Sequence, residues 1–169
     1  MTNAIVLAQN LLDCLQAEIA LGPAPIDPQY VMLRAGGEVT PLLGTNDDEC
    51  CRGLAWVRVA RTEAVRGLGD PSNVSCYTQE RNLVLEMGVV RCAPSASVSG
   101  VPTEAQWLES ALLLDADHGA MESALCCAFL DQDQSAAEEV AVGTYEPFGV
   151  DGNCIGGIMT VNVRYSACC

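Results

Sequence analysis

The residue whose type and spacing come closest to catalytic chemistry is His118, the single histidine of the chain. Asp115 precedes it by three residues and Glu122 follows it by four, so on a helix both carboxylates can reach the imidazole. Such a cluster could act as a general base or as half of a metal site. Because the surrounding pattern is apolar and no nucleophile motif accompanies it, we expect a core or interface histidine satisfied by a carboxylate.

Ten cysteines form the second candidate group. They include three vicinal pairs, which are Cys50-Cys51, Cys126-Cys127 and Cys168-Cys169. Zinc sites usually separate their cysteines by about two to four residues, and the sequence contains no Cys-x-x-Cys. A chain of 169 residues has enough core to fold without disulfides. We therefore expect reduced, mostly buried thiols, no bound metal, no cofactor and no catalytic residue.

The charge pattern excludes further chemistry. The chain has 22 acidic and 8 basic side chains, a formal charge of −14, and all its basic residues are Arg. Without Lys there is no P-loop and no Schiff base. The glycine-rich segment Gly149–Gly157 precedes a predicted strand, whereas a phosphate-binding loop precedes a helix, so turn geometry and close packing explain its glycines. An acidic surface repels phosphate, which disfavours gripping nucleic acid.

The arginines are unevenly distributed. Seven of the eight lie between Arg34 and Arg91, and none lies between Cys92 and Thr160. We expect this cluster to face an acidic partner surface or a neighbouring subunit, because guanidinium groups pair with carboxylates through two hydrogen bonds and so fix a register. The candidate interface residues are Arg34, Arg58, Arg61, Arg66, Arg81 and Arg91.

Neither a membrane span nor a signal peptide is expected. No apolar run approaches the roughly 20 residues of a membrane span, and the first residues lack the basic segment of a signal peptide. We expect a protein that is made in the cytosol and has no membrane contact.

Two helices are predicted to position these groups. Apolar residues recur at spacings of three and four over residues 3–21, which indicates an amphipathic helix with Thr2 or Asn3 as its N-cap. A longer helix is expected over residues 103–130, with one apolar stripe. The stripe consists of Trp107, Ala111, Leu114, His118, Met121, Leu125 and Phe129.

Five strands complete the prediction. Tyr30–Arg34 and Leu54–Arg61 have strand composition, and Asn82–Cys92 is apolar on both faces, which favours a central strand. Residues 139–165 form a hairpin, with strands at Glu139–Tyr145 and Ile155–Tyr165 joined by the loop Pro147–Cys154. The order α-β-β-β-α-β-β predicts a single α+β domain over residues 1–169, a largely antiparallel or mixed five-stranded sheet with two helices on one face.

Three segments of the chain resemble a known family. They are Cys50-Cys-Arg-Gly-Leu-Ala-Trp-Val-Arg-Val59, Val84-Leu-Glu-Met-Gly-Val-Val-Arg-Cys-Ala-Pro94 and Asp151-Gly-Asn-Cys-Ile-Gly-Gly-Ile-Met-Thr-Val-Asn-Val163. They are similar to the head-to-tail connector proteins, tail terminators especially, of long-tailed phages that infect actinobacteria. The basic set made only of Arg fits a GC-rich genome of that kind.

The resemblance implies a small α+β domain that acts without catalysis. Tail terminators assemble as a ring, normally of six copies, that caps the tail tube and joins it to the head-closure or neck protein. The expected partners are therefore a second copy, the major tail tube protein and the head-closure protein, with DNA only as passing cargo. The expected location is the head-tail junction of the virion, assembled in the host cytoplasm.

Three alternatives remain open at this stage. A head-closure protein resembles a small β-barrel, which the predicted 28-residue helix disfavours. An acidic DNA-mimic inhibitor would space its carboxylates regularly along one face, whereas this sequence disperses them among loops and helix ends. A thiol or metal enzyme would depend on His118.

Overall fold

The computed structural model describes residues 3–34, 50–65, 79–94, 100–130, 137–151 and 153–167. Two helices and five strands follow the predicted order α-β-β-β-α-β-β, so the α+β prediction is confirmed. The helices are α1 (Ala4–Leu21) and α2 (Glu104–Leu125), and α2 continues into a π-helical turn at Cys126–Leu130. The strands are β1 (Val31–Arg34), β2 (Leu54–Ala64), β3 (Gln79–Cys92), β4 (Ala137–Asp151) and β5 (Cys154–Ala167).

The five strands form one mixed sheet in the order β1-β2-β3-β5-β4. β1 runs parallel to β2, and the other neighbours are antiparallel. β3 lies at the centre, as its apolar pattern predicts. Its odd-numbered residues from Leu83 to Val89 and its even-numbered Val84 and Val90 are all buried, so both faces of this strand are covered.

The main core lies between the helices and one face of the sheet. Leu85 and Met87 of β3 and Val161 of β5 meet Leu11 and Leu15 of α1, and all five are fully buried. Burial of such side chains stabilises a fold by about 1.5–3 kcal/mol each relative to exposure. Met121 and Ala124 of α2 belong to the same core, so both helices pack on the same face of the sheet.

The first helix, α1, is long and strongly apolar. α1 is the one helix among the described residues that is long and apolar enough to cross a membrane by length and composition, so the statement that no apolar run approaches a span does not hold for it, whereas the expected absence of membrane contact stays a prediction. One such helix is weak evidence, because core helices pass the same test. Here Leu7, Leu11, Leu15 and Ile19 of α1 pack into the core.

The C-terminal hairpin is longer than predicted. The segment Pro147–Asp151, expected to be loop, belongs to β4, and β5 begins at Cys154. Gly157 lies within β5, and a Cβ atom there would overlap the ring of Tyr145. Close packing therefore explains this glycine, as expected, because only a residue without a side chain lets the aromatic ring approach the strand.

The prediction of reduced thiols was wrong. Cys14 of α1 is bonded to Cys127 in the π-helical turn, and Cys51 is bonded to Cys92 at the end of β3. Cys154 is disulfide-bonded as well. The first two bonds span 113 and 41 residues, separations at which spacing along the sequence gives no sign of a pair. The pair Cys168-Cys169 lies outside the described residues.

Candidate interaction surface

Arg91 joins three segments in the interior. Its Nε and Nη2 donate to the two carboxylate oxygens of Asp117 at 2.9 and 2.6 Å, and its Nη1 donates to the carbonyl of Ala24 at 2.7 Å. Arg91 is 8% exposed and Asp117 is 4% exposed. A buried pair of this kind is tolerated because each charge has a hydrogen-bonded partner. The charge of Arg91 is thus used inside the subunit, to hold α2 and the segment after α1 against β3.

Two further arginines of the predicted interface are paired within the chain. Arg58 donates two hydrogen bonds to Glu86, at 2.7 and 2.8 Å, across the β2–β3 ladder. Arg61 pairs with Glu63 at 2.9 Å, and both side chains are largely exposed. An exposed pair contributes little to stability, about 0–1 kcal/mol, and its partners can exchange readily.

Arg34 and Arg81 differ from the others. Neither forms an ion pair with a residue that the structure describes, and the Nε atom of each is buried without a hydrogen-bond partner. Arg66 lies outside the described residues. An interface role for the arginines stays a prediction, and Arg34 and Arg81 are the two members of the set whose charge is uncommitted among the described residues.

The apolar stripe predicted along α2 is buried only in its second half. Met121, Ala124 and Leu125 lie in the core, whereas Trp107 is exposed although the stripe includes it. Next to it, Leu108 and Leu112 are 61% and 63% exposed. The predicted apolar stripe is thus covered by the core only in the second half of the helix. Periodicity shows which residues share a helix face, but not whether anything covers that face.

The exposed half of α2 is a stable helix nonetheless. Thr103 is its N-cap: the backbone N–H of Gln106 donates to the Thr103 hydroxyl at 3.3 Å, and the backbone N–H of Thr103 donates to Oε1 of Gln106 at 2.8 Å. This reciprocal capping box satisfies amide groups that have no partner inside the helix. The capping box at the N-terminus therefore stabilises the helical form of the first half of α2.

A groove runs between this half of α2 and the segment after α1. It has a volume of about 440 Å³. Its lining consists of Pro23, Ala24, Ala105, Leu108, Glu109, Leu112 and Leu113. Arg91 ties the two elements that form the groove together, because it binds Ala24, which lines the groove, and Asp117 farther along α2. We call this surface, with the adjoining exposed Leu21 and Val101, the groove end.

A second apolar surface lies at the opposite end of the helix pair. α1 and α2 run antiparallel, since Cys14 is bonded to Cys127 whereas Ala24 lies beside the first half of α2. The far end therefore carries the beginning of α1 and the end of the π-helical turn. Ile5, Val6 and Leu130 are exposed there, and we call this surface the α1 end.

His118 does not lie in the core. Its side chain is 33% exposed, its Nε2 lies 3.7 Å from Oε1 of Glu122, and its ring stacks on Tyr145 with 4.2 Å between centroids. The expected carboxylate partner is Glu122. Asp115 is exposed and acts on this cluster through its charge on Tyr145.

Tyr145 completes this cluster but offers no base. Burial, and then the charges of Asp117 and Asp115, raise the pKa of its phenol above the ordinary value. Its hydroxyl is buried without a hydrogen-bond partner. Among the described residues, no three His, Cys, Asp or Glu side chains are placed to hold a metal ion. What the structure shows in this cluster is a packed aromatic contact between His118 and Tyr145.

The sequence reasoning missed the groove, although one signal was present. Leu112, Leu113 and Leu114 are consecutive, and on a helix three consecutive residues span about 200°. They cannot all face one core, so at least one must point elsewhere. The exposed Leu112 is that residue.

No protein-family model matches this sequence, and no curated protein matches it significantly.

Proposed function

We propose that this protein is a structural subunit that associates with copies of itself in a ring, a tail terminator at the head-tail junction of a long-tailed phage. The observation that carries this proposal is the exposed apolar surface at both ends of the helix pair. Leucines that are more than 60% exposed, as Leu108 and Leu112 are, are uncommon in clusters on a monomer and are typical of protein contacts.

The fold supports the same role. The resemblance implies a small α+β domain, and the chain has an α+β fold. In this proposal the ring binds the tail tube protein on one side and the head-closure protein on the other, and no residue acts catalytically.

The charge of the chain suits a channel for DNA. A formal charge of −14 per copy makes an acidic ring wall repel phosphate over about 8 Å at physiological salt. DNA would pass such a wall without binding to it. Contacts between subunits would then depend on apolar surface and on Arg34 and Arg81, which form no ion pair among the described residues.

The disulfides fit this location. Virion surfaces are among the oxidising sites where disulfides persist, whereas the cytosol keeps thiols reduced. Subunits assembled in the host cytoplasm would carry thiols first, and the bonds Cys14–Cys127 and Cys51–Cys92 would form once the particle is released.

The test is the assembly state of the purified full chain. We expect light scattering to give a multiple of the 17.8 kDa chain mass, electron microscopy to show rings, and added tail tubes to acquire the protein at one end. A protein that stays monomeric and never binds tail tubes would refute the proposal.

A further inference from the structure

We infer that neighbouring copies join head to tail, with the α1 end of one subunit seated in the groove end of the next. This inference rests on the proposed ring, and it adds which two surfaces meet. The molecule that occupies the groove is therefore a second copy of this chain.

The positions of the two surfaces favour this arrangement. Ile5 and Leu21 are 16 residues apart on α1, which corresponds to about 24 Å along the helix axis. The two apolar surfaces thus lie at opposite ends of one rigid pair of helices that a disulfide joins. A contact between two different surfaces leaves a joined pair of subunits with one free surface of each kind, so further copies can add until the ring closes, when the rotation allows.

The side chains of the α1 end suit an apolar groove. Ile5 and Val6 are β-branched and hold few rotamers, so ordering them in a contact costs little side-chain entropy. They lie in a stretch without charge, because Ala4–Leu12 contains no ionisable side chain. Entry into a groove lined by Leu108, Leu112 and Leu113 would therefore bury no unpaired charge.

Glutamates mark the groove end, and one arginine without an ion pair lies in the direction of the α1 end. Glu104 and Glu109 are exposed on the half of α2 that forms the groove, and the sequence has no basic residue from Cys92 to Thr160. Arg81 has no ion pair among the described residues and lies ten residues before Arg91 on β3, on the helix-facing side. That spacing places it about 33 Å from Arg91 along the strand, in register with Tyr165 and Ala137 where the chain has left the end of α2.

A symmetric contact between two groove ends is disfavoured by the same charges. It would bring Glu104 and Glu109 of both copies together without a cation, and like charges across an interface are destabilising. A head-to-tail contact instead brings Arg81 of one copy toward the glutamates of the next.

The experiment uses two variants of the full chain and a control. Leu112→Asp damages the groove end, Val6→Asp damages the α1 end, and Val142→Asp places the same charge at an exposed apolar residue on β4 that belongs to neither surface. We expect each of the first two variants to weaken association at least tenfold in light scattering. The control should keep the wild-type mass, and circular dichroism should show that all three are folded.

Mixing the two damaged variants gives the sharper result. The Leu112→Asp chain keeps an intact α1 end and the Val6→Asp chain keeps an intact groove, so head-to-tail contact predicts one dimer of twice 17.8 kDa. A symmetric interface predicts no rescue, and that result would overturn the inference.

Charge reversal offers a second test that leaves the apolar core untouched. Arg81→Glu should weaken association, and Glu109→Arg in the same chain should restore part of it. If the wild type assembles and every variant forms assemblies of the same mass as the wild type, the contact lies elsewhere and the ring proposal stands. If the wild type is monomeric at every concentration, the ring proposal itself fails.

Discussion

The two halves of α2 both carry apolar residues but have opposite surroundings. In the second half, Asp117 is bound by Arg91 and Met121 is enclosed by the core. In the first half, Leu108 and Leu112 face outward along a groove. The second half of α2 therefore stabilises the domain, whereas the first half leaves apolar surface exposed, which is the surface that we propose as an interface.

The largest effect is expected from breaking the ion pair that anchors the buried half. Arg91→Met leaves Asp117 charged and buried, and removal of one partner of such a pair costs about 3–5 kcal/mol. Urea unfolding measures this loss. The same substitution in the exposed pair, Arg61→Met, should cost no more than about 1 kcal/mol. Equal small losses for the two variants would contradict the role assigned to Arg91.

Truncation of one apolar side chain in each half tests the comparison directly. Met121→Ala removes fully buried atoms and should lower the free energy of unfolding by about 2–5 kcal/mol. Leu112→Ala removes exposed atoms and should change it by no more than about 0.5 kcal/mol in the monomer. A loss of several kcal/mol at Leu112 would mean that the first half is also part of the core.

Removal of the disulfide between α1 and the π-helical turn should cause the next largest loss of stability. The double variant Cys14→Ser/Cys127→Ser frees a loop of 113 residues in the unfolded chain and should lose about 2–4 kcal/mol. Thermal unfolding without reductant measures it. Cys126→Ser serves as control, because Cys126 is free and exposed. Unchanged stability of the double variant would argue that these thiols are not bonded in solution.

The smallest effect concerns Tyr145, which packs against α2. Since folding raises the pKa of this phenol, its contribution to stability is present in full below about pH 10 and is lost as pH rises through the raised value. Tyr145→Phe removes a buried hydroxyl without a partner, so we expect a gain of up to about 1 kcal/mol at neutral pH.

The alkaline limb of the stability profile provides the check on Tyr145. The free energy of unfolding, measured from pH 8 to pH 11, should fall less steeply with pH in the Tyr145→Phe variant than in the wild type. Identical slopes would show that Tyr145 titrates alike in the folded and unfolded chains.

The local pattern of apolar residues was sufficient to predict the helices and strands. The spacing of Leu7, Leu11, Leu15 and Ile19 defines α1, and the two apolar faces of β3 place it at the centre of the sheet, because a strand covered on both sides needs apolar residues on both. The extension of β4 to Asp151 was not predictable in the same way, since glycine and proline in that segment are typical of loops.

Long-range pairs could not be predicted from the same pattern. Arg91 and Asp117 are 26 residues apart and meet only because α2 packs across the end of β3. Cys14 and Cys127 likewise meet through helix packing. The groove depends on where α2 leaves the core, and the period of a helix contains no information about what covers its face.

The central claim is that the exposed half of α2 is an interface between copies. The most direct measurement is the mass of the purified full chain by light scattering, beside that of Leu112→Asp, over a range of concentrations. We predict a multiple of 17.8 kDa for the wild type and a mass that falls toward 17.8 kDa for the variant. A wild type and a variant of the same mass at every concentration would contradict the claim.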